Sequence, residues 1–129
     1  MKTKRLSVVL PEQCQFIPQE WEWTAAEILS AYYKCCVRFV PTSNTEKTPD
    51  LQIKNDQWEL KSPIGKSPRT IENNLRLAQE QSANIILDLR RCKMTDKQAM
   101  MRIRYFLAKR NKIKQLLIIR HNAQIERLK

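Results

Sequence analysis

Apolar side chains recur at helical spacing through residues 20–34, where Trp21, Ala25, Ile28, Leu29 and Tyr32 fall on one stripe, and this predicts an amphipathic helix. Residues 36–40 (Cys-Val-Arg-Phe-Val) alternate with a period of two and stop at Pro41, the pattern of a strand. Residues 41–49 carry turn formers and almost nothing to bury, so a loop is expected there. Two short alternating runs then flank Asn55-Asp56, a pair that tolerates the positive φ of a tight hairpin. The alternation puts Leu51, Ile53, Trp58 and Leu60 on one face and Asp50, Gln52, Glu59 and Lys61 on the other. With a two-residue turn at Asn55-Asp56, Asp50 is expected across from Lys61 and Gln52 across from Glu59.

Beyond Pro63 and Gly65, residues 67–81 predict a second helix with Ser67 as N-cap, Pro68 at its first position and Ile71, Leu75 and Ala78 inward. Residues 83–89 read as a buried strand. A third helix is expected over residues 95–110, capped at Thr95-Asp96, with Ala99, Met100, Ile103, Phe106 and Leu107 inward and Arg102, Arg104, Lys109 and Arg110 outward. Residues 113–120 and 124–128 close the pattern as two strands around a His121-Asn122 turn. This order predicts an α/β fold, a central mixed sheet flanked by helices, with residues 1–129 as one domain.

A hydrophobic fraction of 42% places the chain among globular proteins rather than disordered ones. The longest apolar runs, such as 116–119, fall far short of the roughly 20 residues that span a bilayer, so no membrane partner is expected. The basic N-terminal stretch has an apolar part too short for a signal peptide, and Glu12 follows almost at once; it reads as a strand of a cytoplasmic protein. Cys14, Cys35, Cys36 and Cys92 form no Cys-x-x-Cys pair and are expected as reduced thiols. His121, the only histidine, sits at a turn, which argues against a zinc site or a nucleophile–histidine triad.

Charge changes the picture. Residues 1–60 hold 7 basic and 8 acidic side chains and residues 61–129 hold 17 and 5, so the net +11 arises wholly in the second half. Such asymmetry points to a polyanion, and nucleic acid is the expected partner, although charge alone does not separate RNA from DNA. Hydrolysing a phosphodiester calls for an activated water and relief of negative charge, which a carboxylate-bound divalent metal supplies. Asp50 and Glu59 can hold Mg²⁺ or Mn²⁺, and Lys61, on the same face, can orient the water or neutralise developing charge. Lys66, Arg69 and Thr70 lie at the start of the second helix, where free N–H groups favour a phosphate. Arg90 and Arg91, at the end of a strand, are further candidates for backbone contacts, and Gln52 shares the polar face. Trp21, Trp23, Tyr32 and Tyr33, at helical spacing, are assigned to the core ahead of base stacking.

Pro49-Asp50, eight residues, then Glu59-Leu60-Lys61 resembles the PD-(D/E)xK nuclease signature, and the element order from residue 20 to residue 90 is similar to that superfamily's restriction-endonuclease-like core. The resemblance implies a further metal-binding acid on the first helix, for which Glu27 is the candidate and Glu20 and Glu22 the fallbacks. More narrowly, Trp58-Glu59-Leu60-Lys61-Ser62-Pro63, Gly65, Ser67, Thr70-Ile71, Gln81-Ser82 and residues 84–90 (Asn-Ile-Ile-Leu-Asp-Leu-Arg) resemble the C-terminal tRNA-nuclease toxin domains of contact-dependent growth-inhibition proteins. That likeness implies a metal-dependent tRNA endonuclease acting in the cytoplasm of a target cell and an immunity protein as partner. Two alternatives stay open: a barnase-like ribonuclease in which Glu59, Lys61 and Thr70 work without a metal, and a non-catalytic nucleic-acid-binding module on a degenerate nuclease core.

Overall fold

The structure, a computed structural model, describes residues 8–10, 17–40 and 50–129; the loop expected over 41–49, Pro49, Cys14 and most of the N-terminal stretch lie outside these. Seven strands form a mixed sheet in chain order: β1 (Val8–Val9), β2 (Val37–Phe39), β3 (Leu51–Ile53), β4 (Asp56–Lys61), β5 (Asn84–Asp88), β6 (Gln115–Ile119) and β7 (Ile125–Arg127). β1 and β2 are parallel, as are β4, β5 and β6, whereas β3 runs antiparallel to both of its neighbours and β7 antiparallel to β6. Among the described residues the helices are α1 (Glu20–Tyr33), α2 (Pro68–Ala78) and α3 (Asp96–Leu107).

The period-two pattern of the strands sorts their side chains into two apolar layers. One packs Val37, Phe39, Leu51, Ile53, Trp58, Leu60, Ile86, Leu117 and Ile119 under Ala25, Ala26 and Leu29 of α1. The other packs Ile85, Leu87, Leu116 and Ile118 under Ile71, Leu75 and Ala78 of α2 and Ala99, Met100 and Ile103 of α3. β5 and β6 bury apolar side chains on both faces, as strands covered by helices on both sides do. The helix starts follow the expected chemistry. The Ser67 hydroxyl accepts from the Arg69 N–H with Pro68 at the first position of α2, and Thr95 and Gln98 close a capping box on α3.

The hairpin turn differs from expectation. Leu51 pairs with Trp58, Gln52 with Gln57 and Ile53 with Asp56, so the turn is Lys54-Asn55, with Lys54 at φ 56°. The turn lies one residue earlier than Asn55-Asp56 and the register slips by two. A slip of two keeps every side chain on its face, so the alternation survives while the cross-strand partners change. This register brings Trp58, 1% exposed, opposite Leu51 within the layer under α1 and puts the Lys54 ammonium 5.6 Å from the Tyr33 ring centre. Those contacts favour a conformation that Lys54 alone would not choose.

His121 is a structural clasp. Its Nδ1 lies 2.6 Å from Asp96 Oδ1 and its Nε2 2.8 Å from the Cys92 carbonyl, tying the β6–β7 turn to the start of α3. With an acceptor at each nitrogen the imidazolium is favoured: the Cys92 carbonyl and the Asp96 carboxylate raise the His121 pKa despite partial burial. Burial acts to raise Asp96, but the hydrogen bonds and charge of His121 outweigh it and hold that carboxyl below its usual value. The His121 contribution to stability is complete below the ordinary value of 6.5 and lost as pH rises through the raised folded value, and that of Asp96 is lost as pH falls below 3.8. Thermal melts of the parent and of His121→Gln should therefore differ most between these limits and converge in alkali. A constant difference across pH would show that His121 stays neutral.

Candidate active site

β4 lies between β3 and β5, and the side of it facing away from α1 carries Glu59 and Lys61 beside Ile85 and Leu87 of β5. Just before β3, Asp50 leaves the regular ladder. Its N–H donates to the Trp58 carbonyl (3.0 Å), its carbonyl accepts from Val40 N–H (3.0 Å), and its Oδ2 accepts from Leu60 N–H (2.9 Å). A side-chain oxygen thus stands where a strand carbonyl would, and the Asp50 carboxylate is held beside Glu59, the residue between Trp58 and Leu60.

Glu59 is 4% exposed. Its Oε2 lies 3.4 Å from Lys61 Nζ, and no donor among the described residues reaches its buried Oε1. The two carboxyl groups can bond to each other only when one of them carries a proton. Burial pushes the Glu59 pKa up, the Asp50 charge pushes it further, and Lys61 offsets only part, leaving it at about 8. Asp50 is raised as well, by burial first, with Leu60 N–H and Lys61 pulling it down and Glu22 of α1 pushing it up. Lys61, about one-third exposed, forms the rim. The expected Asp50–Lys61 cross-strand pair is therefore replaced by an Asp50–Glu59 pair bordered by Lys61, a consequence of the register slip and of the Asp50 side chain entering the ladder.

The other candidates divide. Glu27 is exposed on the outward side of α1 and does not join the site, because Ala25, Ala26, Leu29 and Ser30 occupy the face that meets the sheet. Glu22, on the inward side, is the helix acid whose charge reaches Asp50, while its Oε1 accepts from Gln19 N–H at the helix start. Arg90 is engaged within the fold. Its guanidinium clasps the fully buried Asp88 (2.7 Å), donates to the Thr24 hydroxyl (2.9 Å) and the Trp21 carbonyl (3.0 Å), and so bolts β5 to α1. Gln52 turns toward the hairpin, donating to the Lys54 carbonyl and lining a hollow with Cys35, Cys36, Arg38 and Lys54. Arg69 faces a groove between α2 and α3.

Lys66 is exposed, and Thr70 is half-buried at the start of α2. A methyl group at Gly65 would come within 3.0 Å of Thr70 Oγ1, so the glycine lets the loop after β4 pass this hydroxyl closely. Arg91 does remain at the surface. Its Nε donates to the Ser62 hydroxyl (2.9 Å), just after Lys61, and its guanidinium sits 4.6 Å from the Trp21 ring centre. The sequence points to Arg91 as a backbone contact, to Trp21 as core and to Ser62 only within a motif; no local pattern signals that Arg91 meets both of the others.

A mixed sheet that presents two carboxylates and an amine beside basic helices defines the class of an α/β domain with an acid–lysine centre. The chain belongs to the family of contact-dependent growth inhibition CdiA C-terminal domains, which it matches over residues 47–125. Its fold is similar to that of a CdiA-CT/CdiI toxin and immunity complex from Burkholderia pseudomallei, at a TM-score of 0.63 and 18% identity, covering 95% of this chain and 98% of that one. No curated protein matches the chain. Among the described residues no helix is long and apolar enough to cross a membrane.

Between the ordinary value of 4.5 and about 8, folded Glu59 keeps a proton that the unfolded chain releases, so stability falls as pH rises through that window. Urea unfolding near pH 5 and near pH 8 should show a smaller fall for Glu59→Gln than for the parent; equal falls would mean that Glu59 is ionised throughout. Arg90→Ala, which strands a buried carboxylate, should cost about 3–5 kcal/mol in the same assay. A near-neutral effect would return Arg90 to the list of substrate contacts.

Proposed function

We propose that this chain is a toxin nuclease that hydrolyses phosphodiester bonds of RNA, with tRNA as substrate, in the cytoplasm of a target cell. The observation that carries this reading is the Asp50–Glu59 carboxylate pair with the Lys61 amine at its rim. The succession α1, β2, β3, β4, α2, β5 supports a restriction-endonuclease-like core, with the acid pair and lysine at its central ribbon. An immunity protein is the partner expected from the toxin and immunity complex with a similar fold.

The donor set fits Mg²⁺ or Mn²⁺. Asp50 and Glu59 are hard oxygen ligands, and the Glu59 Oε1, buried with no donor, is the kind of atom a cation satisfies. Among the described residues no group of three or more His, Cys, Asp or Glu is arranged around one point, so water and substrate oxygens would fill most of the shell, with Glu22 as an outer acid. When bound, such an ion supplies charge neutralisation at the phosphoryl group and a more acidic water. Lys61 orients the attacking water and stabilises charge as it develops on the phosphate. Lys66, Thr70 and Arg91 hold flanking phosphates around the loop that follows β4.

One observation favours a second reading. A carboxyl group at about 8 is poised to move protons near neutrality, so Glu59 could serve as acid or base without a metal, with Lys61 and Thr70 on the phosphate.

Total tRNA and plasmid DNA, each incubated with and without magnesium, separate these outcomes. The parent should cut tRNA only with magnesium. Asp50→Asn, which keeps an oxygen for Leu60 N–H, should abolish cutting, and Lys61→Ala should slow it by about 10²–10⁴-fold. Cutting that survives EDTA but not Glu59→Gln would establish the metal-free reading, and preferential cutting of plasmid would replace RNA by DNA. Intact tRNA and plasmid under every condition would overturn the hydrolase.

A further inference from the structure

A broad hollow on the described surface lies away from the acid pair. It is a groove of about 700 Å³ between the outer sides of α2 and α3, and four cations line it, Arg69, Arg76, Arg102 and Lys109, against one carboxylate, Glu72. Two of these side chains are held by hydrogen bonds to neighbours on α2. Arg102 Nη2 donates to Glu72 Oε1 (2.9 Å), and Arg76 donates to Asn73 Oδ1 (2.6 Å). Tyr105, 49% exposed, has the Lys109 ammonium 4.2 Å and the Arg102 guanidinium 5.4 Å from its ring centre. Arg102 Nε is buried with no acceptor among the described residues.

Cations around a half-exposed aromatic ring match the two recurring parts of a nucleic acid: phosphates neutralised by Arg and Lys, and a base that stacks on a ring. Bases free to stack in this way occur in the loops, bulges and ends of folded RNA. Arginine and tyrosine are enriched at protein interfaces too, but four cations against one carboxylate favour a polyanion as the occupant. We infer that the α2–α3 groove is a second RNA contact, taking the backbone and one unstacked base of a folded RNA whose scissile phosphate lies at Asp50, Glu59 and Lys61.

The inference rests on the ribonuclease reading for its choice of polymer. The geometry suits a folded substrate. α2 packs Ile71, Leu75 and Ala78 into the core on the Glu59 side of the sheet while Arg69 and Arg76 line the groove, so the helix stands between the two contacts. A folded RNA presents separated backbone segments that can reach both at once.

The test reads binding without cutting. In a Glu59→Gln background, the affinity for total tRNA is measured by fluorescence anisotropy over a salt series, with and without Arg76→Ala and Lys109→Ala together. The pair should weaken binding about tenfold or more and reduce the slope of log K against log salt by about two, one unit per lost phosphate contact. Arg76→Lys with Lys109→Arg should restore the slope. Unchanged affinity and slope would overturn the inference, as would an equal loss on duplex DNA, which would make the groove a general polyanion surface. Groove-dependent tRNA binding by a chain that cuts nothing would support the inference while sinking the hydrolase; cutting with no groove effect would do the reverse.

Discussion

Two acidic side chains held together, Glu59 buried and Asp50 half-buried, form the constraint on which this molecule turns. Left to themselves they would separate, since burial and mutual repulsion both oppose ionisation. What holds them is main-chain hydrogen bonding. Leu60 N–H needs an acceptor, and the Asp50 carboxylate supplies it, so Asp50 cannot swing away without orphaning a strand donor. Glu59 is equally fixed, because its strand lies between β3 and β5 and its neighbours Trp58 and Leu60 are locked in the layer under α1. Burial first, and the Asp50 charge after it, push the Glu59 carboxyl up to about 8, a group ready to take a cation or a proton.

Around that pair the fold separates support from contact. Asp88 and Arg90, one residue apart, join β5 to α1 and are consumed in doing so; the next residue, Arg91, stays at the surface between Ser62 and Trp21. Adjacent arginines with the same apparent chemistry thus perform unlike tasks, and the difference is that one meets a fully buried carboxylate and the other does not. α2 has two uses as well. Its inward stripe closes the core over β5, while its outward stripe supplies half of a cationic groove.

Much of this was legible beforehand. The three helices, their caps at Ser67 and Thr95, the polar face of the ribbon and the placing of Trp58 in the core follow from alternation, periodicity and cap chemistry, all local in the chain. The hairpin turn was misplaced because Asn55-Asp56 has the better intrinsic turn chemistry. Packing of Trp58 and the contact between Lys54 and Tyr33 favour Lys54-Asn55 instead. The positions of Glu27, away from the acid pair, and of Arg90, on Asp88, were not legible for a related reason. Which helix acid faces a site, and which arginine finds a buried carboxylate, depends on rotation and docking between elements far apart in sequence.

The chain by itself determined which side chains share a face and where the positive charge collects, because those properties depend on neighbours two to four positions away and on simple counting. Only the tertiary structure decided that Asp50 lies beside Glu59 rather than Lys61, that the charge of Glu22 reaches Asp50, and that the basic helices form a groove rather than a diffuse surface. Each of these is set by the register between strands and the packing of helices on the sheet, and those are contacts that no local pattern encodes.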